Sequence, residues 1–262
     1  MACPAATSPS RVSLQRGLCY NPTTMDARSR IIVALDFPDL PRALDVASPL
    51  ASRVGMLKVG LELFNAAGPR AIEAIRALGA DVFYDSKFYD IPNTAAGAAA
   101  AAARLGVRML NVHALGGREM MRAAKEAAAR GAAEAGFPPP LVIGVTIVTS
   151  LGDDALRHEL GLSENSAEAV PRLAVLARDA GLDGVVASVH EVPGIRRVCG
   201  TDFITVTPGI RPAWAARGDQ SRIATPRAAL EAGADYLVIG RPITKADDPG
   251  QALERIVSEM VE

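Results

Sequence analysis

The sequence predicts an α/β fold, a single-domain (β/α)8 TIM barrel, from three observations. Short β-branched or apolar runs alternate with longer segments of helical pattern, eight such runs occur, and the 262 residues match the roughly 250 that one such barrel needs. A doubly wound open sheet is the structural alternative. The predicted strands are IIVALD (31–36), VGMLKVG (54–60), DVFYDSK (81–87), RMLNVHA (108–114), LVIGVTIVT (141–149), GVVASV (184–189), FITVTPG (203–209) and YLVIGR (236–241).

Helical segments fall between them: PDLPRALDVASPLAS (38–52), GPRAIEAIRAL (68–78), NTAAGAAAAAARL (93–105), REMMRAAKEAAARGAAEA (118–135), SAEAVPRLAVLARDA (166–180), TPRAALEAG (225–233) and PGQALERIVSEM (249–260). Alanine is the strongest helix former, so the Ala tract at 93–105 is read as helix and not as disorder. No linker-like break divides residues 29–262, which are expected to form the barrel. Residues 1–28 lack periodicity and carry Pro, Ser and Thr where an element should be. They contain no apolar signal segment and are expected to be a disordered extension, with Met25 as a candidate start.

Twenty-eight basic and 29 acidic side chains leave a formal charge of -1, which gives no reason to expect a nucleic-acid or membrane surface. Dense apolar stretches such as LVIGVTIV (141–148) fall far short of the roughly 20 residues a membrane helix requires. The three cysteines, Cys3, Cys19 and Cys199, have no metal-ligand spacing and cannot all pair with one another. A soluble protein of a reducing, cytoplasmic compartment is expected.

The charges select one end of the barrel. YDSKFYDIPNT (84–94) places Asp85, Lys87 and Asp90 within six positions. Asp85 and Lys87 are two apart, so on a continuous strand they share a face, which in a barrel can be the interior. Asp36 ends the first predicted strand and Lys58 lies near the end of the second. Working residues of such barrels sit at the C-terminal strand ends and in the loops beyond them. Asp90 follows in the loop after strand 3, from where it can complete the cluster or reach into a neighbouring subunit. Converging charges in a partly dry place mark chemistry more often than stability.

Across the ring, TPGIRP (207–212) follows strand 7 and IGRP (239–242) closes strand 8, the usual phosphate position of this fold. Gly209 and Gly240 let backbone N–H groups approach an anion, and Arg211 and Arg241 offer planar, bidentate donors. His113 and His190 end strands 4 and 6 and read as scaffold residues, while His158 reads as solvent-facing. No HExxH motif, Cys-His cluster, dinucleotide-type Gly-rich loop or Ser-His-Asp set stands out, so the chemistry is expected to come from side chains without metal or cofactor.

The quoted segments, together with ALDF, KVGLELF, the D-x-K-x-x-D-I-P-N-T segment, NVHALGG, VTIVTSL, SVHE, VTPGIRP, GDQSRIATP and GADYLVIGRPIT, resemble the orotidine 5'-phosphate decarboxylase family in its common bacterial form. D-x-K-x-x-D is shared with related phosphosugar enzymes; its combination with VTPGIRP, the Gln220 segment and GRPIT is specific. The resemblance implies that Lys87 is the general acid that protonates C6 of the pyrimidine as carbon dioxide leaves. It puts Asp85 beside the substrate carboxylate and makes Lys58, Asp85, Lys87 and Asp90 an alternating charge chain. It further implies that Asp36 and Lys58 hold ribose hydroxyls, that Thr149 with Ser150 contacts the pyrimidine, and that Arg211, Gln220, Gly240 and Arg241 secure the phosphate, with Ile91 and Pro208 among the substrate contacts. A homodimer sharing Asp90 and Thr94 across its interface, without metal or cofactor, is implied as well.

Two positions depart from the family pattern: Ser86 where relatives usually carry Leu, and Tyr89 where they usually carry His. By parity Ser86 should face the helix layer and affect packing, not catalysis. Two other functions use the same residues. One is a magnesium-dependent phosphosugar decarboxylase or aldolase, and the other is a catalytically silent barrel that binds nucleotide phosphate.

Overall fold

The computed structural model describes residues 26–215 and 224–261. Eight parallel strands close into one barrel in sequence order: β1 (Ile31–Ala34), β2 (Met56–Val59), β3 (Val82–Phe88), β4 (Met109–His113), β5 (Leu141–Val145), β6 (Gly184–Val186), β7 (Ile204–Thr207) and β8 (Tyr236–Ile239). β1 pairs with both β2 and β8, which closes the ring and rules out the open-sheet alternative.

The outer layer comprises α1 (Leu40–Ala47) after β1, α2 (Leu61–Ala67) and α3 (Pro69–Ala77) after β2, α4 (Pro92–Arg104) after β3, and α5 (Gly117–Glu134) after β4. It continues with α6 (Asp153–His158) and α7 (Ser166–Asp179) after β5, α8 (Val192–Cys199) after β6, α9 (Pro226–Glu231) after β7, and α10 (Arg241–Thr244) and α11 (Pro249–Val261) after β8. Among the described residues no helix is long and apolar enough to cross a membrane.

Local chemistry sets several helix starts. Asp39 caps α1 by accepting from the Arg42 N–H at 3.0 Å, and Asn165 and Glu168 form a reciprocal capping box on α7. The Ala tract is α4, as its composition predicts. It packs closely on α5 because Gly131 has no side chain: an added Cβ would lie 2.5 Å from the Ala100 carbonyl oxygen. α8 is absent from the sequence reading because Pro193 and Gly194 look like turn residues. Proline at the first turn fits a helix start, where its missing N–H leaves no bond unmade.

The strands divide the core by parity. Ile32, Met56, Phe83, Met109, Ile143, Ile204, Val206 and Tyr236 fill the barrel interior. The intervening residues, such as Ile31, Val33, Leu57, Val82, Leu110 and Leu237, pack outward under the helices. Several strands stop earlier than predicted. β5 ends at Val145, and Thr149 and Ser150 lie in a turn closed by the Leu151 N–H donating to the Val148 carbonyl at 3.0 Å. β6 ends at Val186, which places His190 in a short 3-10 turn and not at a strand end.

Ion pairs tie the N-terminal end of the barrel. Residues 27–30 enter the fold as a turn, and Glu254 on α11 joins both Arg28 and Arg53. Lys125 on α5 pairs with Asp183, which also accepts from the Val142 N–H at 2.6 Å. Residues 1–25, and with them most of the predicted N-terminal extension, lie outside the described residues.

Candidate active site

The interior parity of the strands carries upward from apolar to charged residues. Two positions beyond Met56 and Phe83 on the same faces stand Lys58 and Asp85, and Asp36 follows the end of β1. The three side chains meet: Lys58 Nζ lies 3.0 Å from Asp36 Oδ1 and 3.3 Å from Asp85 Oδ2. Lys87 Nζ donates to Asp85 Oδ1 at 2.6 Å, completing a continuous chain Asp36–Lys58–Asp85–Lys87. Its middle is the most enclosed part: the Lys58 and Asp85 side chains are 9% and 14% exposed, against 57% for Asp36 and 33% for Lys87 at the two ends.

Simple alternation does not bring Lys87 there. The register of β3 on β4 shifts between Tyr84 and Phe88, and Lys87 has φ 49°, the sole non-glycine among the described residues with positive φ. The bulge also revises the parity argument for Ser86. Its hydroxyl donates to the Asn111 carbonyl at 2.8 Å, so this residue bonds to the neighbouring strand instead of simply facing the helix layer.

Charge pairing outweighs burial inside the chain. Burial pulls the Lys58 ammonium down, but Asp85 and Asp36 more than offset it and hold the pKa above the ordinary lysine value. Burial likewise pushes Asp85 up, yet Lys58, Lys87 and a hydrogen bond from Asn111 hold it below the usual carboxylate range. Gly60 borders the pair: an added Cβ there would lie 2.9 Å from Lys58 Nζ and 3.2 Å from Asp36 Oδ1. His113, further along β4, packs its ring against Tyr89 with centroids 5.6 Å apart. Burial and the Lys87 charge hold its pKa below the ordinary value, with Asp85 opposing.

Asp90 does not complete this cluster within the chain. It is exposed, its Oδ1 accepts from the Ile91 N–H at 2.6 Å, and it forms no ion pair with a described residue. Ile91, 67% exposed, and exposed Thr94 lie with it at the start of α4. Thr149 is half-buried and Ser150 exposed in the turn beyond β5. Gln220 lies outside the described residues.

The other half of the mouth is cationic. Gly209 has φ 79°, a conformation that favours glycine, and turns the chain from Pro208 to Ile210 and Arg211. The Arg211 N–H donates to the Ala224 carbonyl at 2.9 Å, which anchors this loop. A cavity of about 420 Å³ is lined by Arg211, Trp214, Ala215, Arg241, Pro242, Lys245 and Ala246. Its charged lining residues are all basic. Gly240 precedes Arg241, and an added Cβ there would lie 3.5 Å from the Ala34 side chain, so the end of β8 adjoins the end of β1. The Arg255 guanidinium stacks 4.2 Å over the Trp214 ring at the cavity edge.

Lys245, Trp214, Gly60 and Asn111 escaped the sequence reading. For Asn111 a signal existed: an asparagine, poorly suited to strands, stands at an interior position of an otherwise apolar run.

The chain is similar to known proteins over most of its length. The model of the Orotidine 5'-phosphate decarboxylase / HUMPS family matches residues 29–256. Orotidine 5'-phosphate decarboxylase of Moorella thermoacetica is 54% identical over 236 residues, covering 90% of this chain and 94% of that protein. That of Syntrophotalea carbinolica is 52% identical over 236 residues, covering 90% and 96%. The solved structure of Orotidine 5'-phosphate decarboxylase from Lactobacillus acidophilus aligns with a TM-score of 0.79 at 40% identity, covering 88% of this chain and 99% of that one.

Proposed function

The chain belongs to the orotidine 5'-phosphate decarboxylase / HUMPS family, and from that premise we infer that it is a carboxy-lyase converting orotidine 5'-phosphate to UMP in pyrimidine biosynthesis. The observation that carries the mechanism is the Asp36–Lys58–Asp85–Lys87 chain at the C-terminal mouth. Breaking the C6–carboxylate bond leaves an electron pair in an sp² orbital that no adjacent carbonyl delocalises. A fixed ammonium near C6 stabilises that pair and then supplies a proton, which is the work assigned to Lys87. Carbon dioxide departs, and the neutral amine regains its proton from solvent. Asp85, beside the substrate carboxylate, repels it in the ground state and holds Lys87 in place.

Asp36 and Lys58 bind ribose hydroxyls, and Thr149 with Ser150 meets the pyrimidine. The phosphate lies in the basic cavity between Pro208–Arg211 and Gly240–Arg241, joined by Gln220. Its position after β7 and β8 and its two arginines support this assignment. The phosphate is remote from the reacting carbon, so its binding energy serves to hold the reactive geometry.

The second copy in a homodimer receives Asp90 and Thr94. Three features support this: Asp90 makes no ion pair with a described residue of its own chain, Tyr89 and Ile91 are 63% and 67% exposed, and Leu61 and Leu115 are also exposed beyond β2 and β4. The cytoplasm is the compartment proposed for a biosynthetic enzyme of this kind.

The test is the ultraviolet absorbance of orotidine 5'-monophosphate on adding purified protein in excess chelator. Conversion to UMP is expected. Absence of conversion would overturn the reading, and turnover of a phosphosugar only with added magnesium would replace it.

A further inference from the structure

Resting on the decarboxylase reading, we propose that Asn111 is a positioning residue whose single amide clamps the β3 bulge and aims Asp85 and Lys87 at one point. Asn111 is 1% exposed in the middle of β4. Its Oδ1 accepts from the Lys87 backbone N–H at 2.7 Å, and its Nδ2 donates to Asp85 Oδ1 at 2.7 Å. One amide orientation alone meets both needs, because an N–H must find an oxygen and a carboxylate must find a donor.

The same Asp85 oxygen receives Lys87 Nζ at 2.6 Å. The amide therefore touches the backbone of the proton donor and the carboxylate that holds its ammonium. The Ser86 hydroxyl adds a bond from the middle of the bulge to the Asn111 carbonyl at 2.8 Å. The left-handed φ of Lys87 is a conformation that lysine adopts rarely, and it persists only where neighbours fix it. Asn111 supplies that fixing from the next strand. No donor or acceptor of its side chain faces the cationic cavity, so its effect falls on the reacting groups and not on phosphate affinity.

The experiment measures kcat and KM for orotidine 5'-monophosphate, UMP affinity and thermal melting for wild type, Asn111→Ala and Asn111→Asp. Displacing a reacting group by about 1 Å costs on the order of 10²-fold in rate. A fall of about that size in kcat is expected for both variants, with KM and UMP affinity each changing less than about threefold. Asn111→Asp keeps the size and the acceptor for the Lys87 N–H and loses the donor to Asp85, so it remains informative if Asn111→Ala fails to fold. A kcat within about threefold of wild type, or a loss confined to KM and UMP affinity, would overturn the clamp. Wild type measured alongside separates the two ideas. Wild-type turnover with an unimpaired variant retires the clamp alone, whereas an inactive wild type retires the decarboxylase reading and the clamp with it.

Discussion

Two ion clusters occupy opposite ends of the same barrel, and their donors are used differently. At the N-terminal end, Arg196 donates to Asp235 at 2.5 Å, to Thr205 Oγ1 at 3.0 Å, and to the carbonyls of Gly200, Thr201, Phe203 and Gly233. Asp235 also accepts from the Thr205 N–H at 2.7 Å. Every nitrogen of that guanidinium is engaged by its own chain. At the C-terminal mouth, Lys87 uses its ammonium on Asp85 alone among the described residues and remains 33% exposed. Both clusters are charged, and each has an enclosed ion pair at its centre. The first closes on itself and holds loops together, while the second presents an ammonium with donors to spare toward the mouth, which chemistry requires.

The comparison can be broken by exchanging the expected effects. Asp85→Asn removes the charge that links Lys58 to Lys87. It should lower kcat on the order of 10²- to 10³-fold while the protein stays folded, as steady-state kinetics and circular dichroism would report. Equal kcat in this variant would deny the mouth its special status.

Asp235→Asn should do the reverse. It leaves the Arg196 guanidinium, whose side chain is 15% exposed, without its counter-charge. The expected loss is about 3–5 kcal/mol of stability, or on the order of 10 °C in the melting temperature, with kcat of the folded protein unchanged. A melting curve and an activity assay on the same sample decide it.

A third region sharpens the contrast, because the cavity lined by Arg211, Arg241 and Lys245 should act on affinity. Arg241→Ala should weaken UMP binding about 10- to 100-fold, as expected for loss of a charge-assisted contact of about 1.5–3 kcal/mol. Calorimetric titration measures this directly, and unchanged affinity would move the phosphate elsewhere.

The smallest effect is the response of stability to pH. Asp85, held below the usual carboxylate range, contributes stability that is complete above its unfolded pKa of about 3.9 and fades as pH falls through its lower folded value. Lys58, held above the ordinary lysine value, contributes stability that is complete below its unfolded pKa of about 10.4 and fades as pH rises through its higher folded value. The gap in melting temperature between wild type and Asp85→Asn should therefore stay level between about pH 5 and 9 and narrow below about pH 4.

These contrasts also show what the linear sequence could reveal. The eight strands and the closed ring were legible in the alternation of apolar runs with helical segments and in the chain length, and the gathering of Asp36, Lys58 and Asp85 at one mouth was legible because each stands near a strand end. The basic loops after β7 and β8 were legible because their glycines and arginines stand at strand ends. The bulge that turns Lys87 inward was hidden, since it depends on the Asn111 amide 24 residues away. Arg196 and Asp235, 39 residues apart, were hidden for the same reason. β5 ran too long on paper because Thr146 and Ile147 are strand-like by type. In the fold the Thr146 hydroxyl instead bonds the Val186 carbonyl at 2.9 Å, just past the strand end.

The central claim is that Lys87 does the chemistry while the basic cavity does the holding. Turnover of saturating orotidine 5'-monophosphate by Lys87→Ala, with UMP affinity measured on the same preparation, tests it most directly. The expected result is a loss of kcat of at least about 10³-fold with UMP still bound within a few fold of wild type. Near-normal turnover by Lys87→Ala would contradict the account.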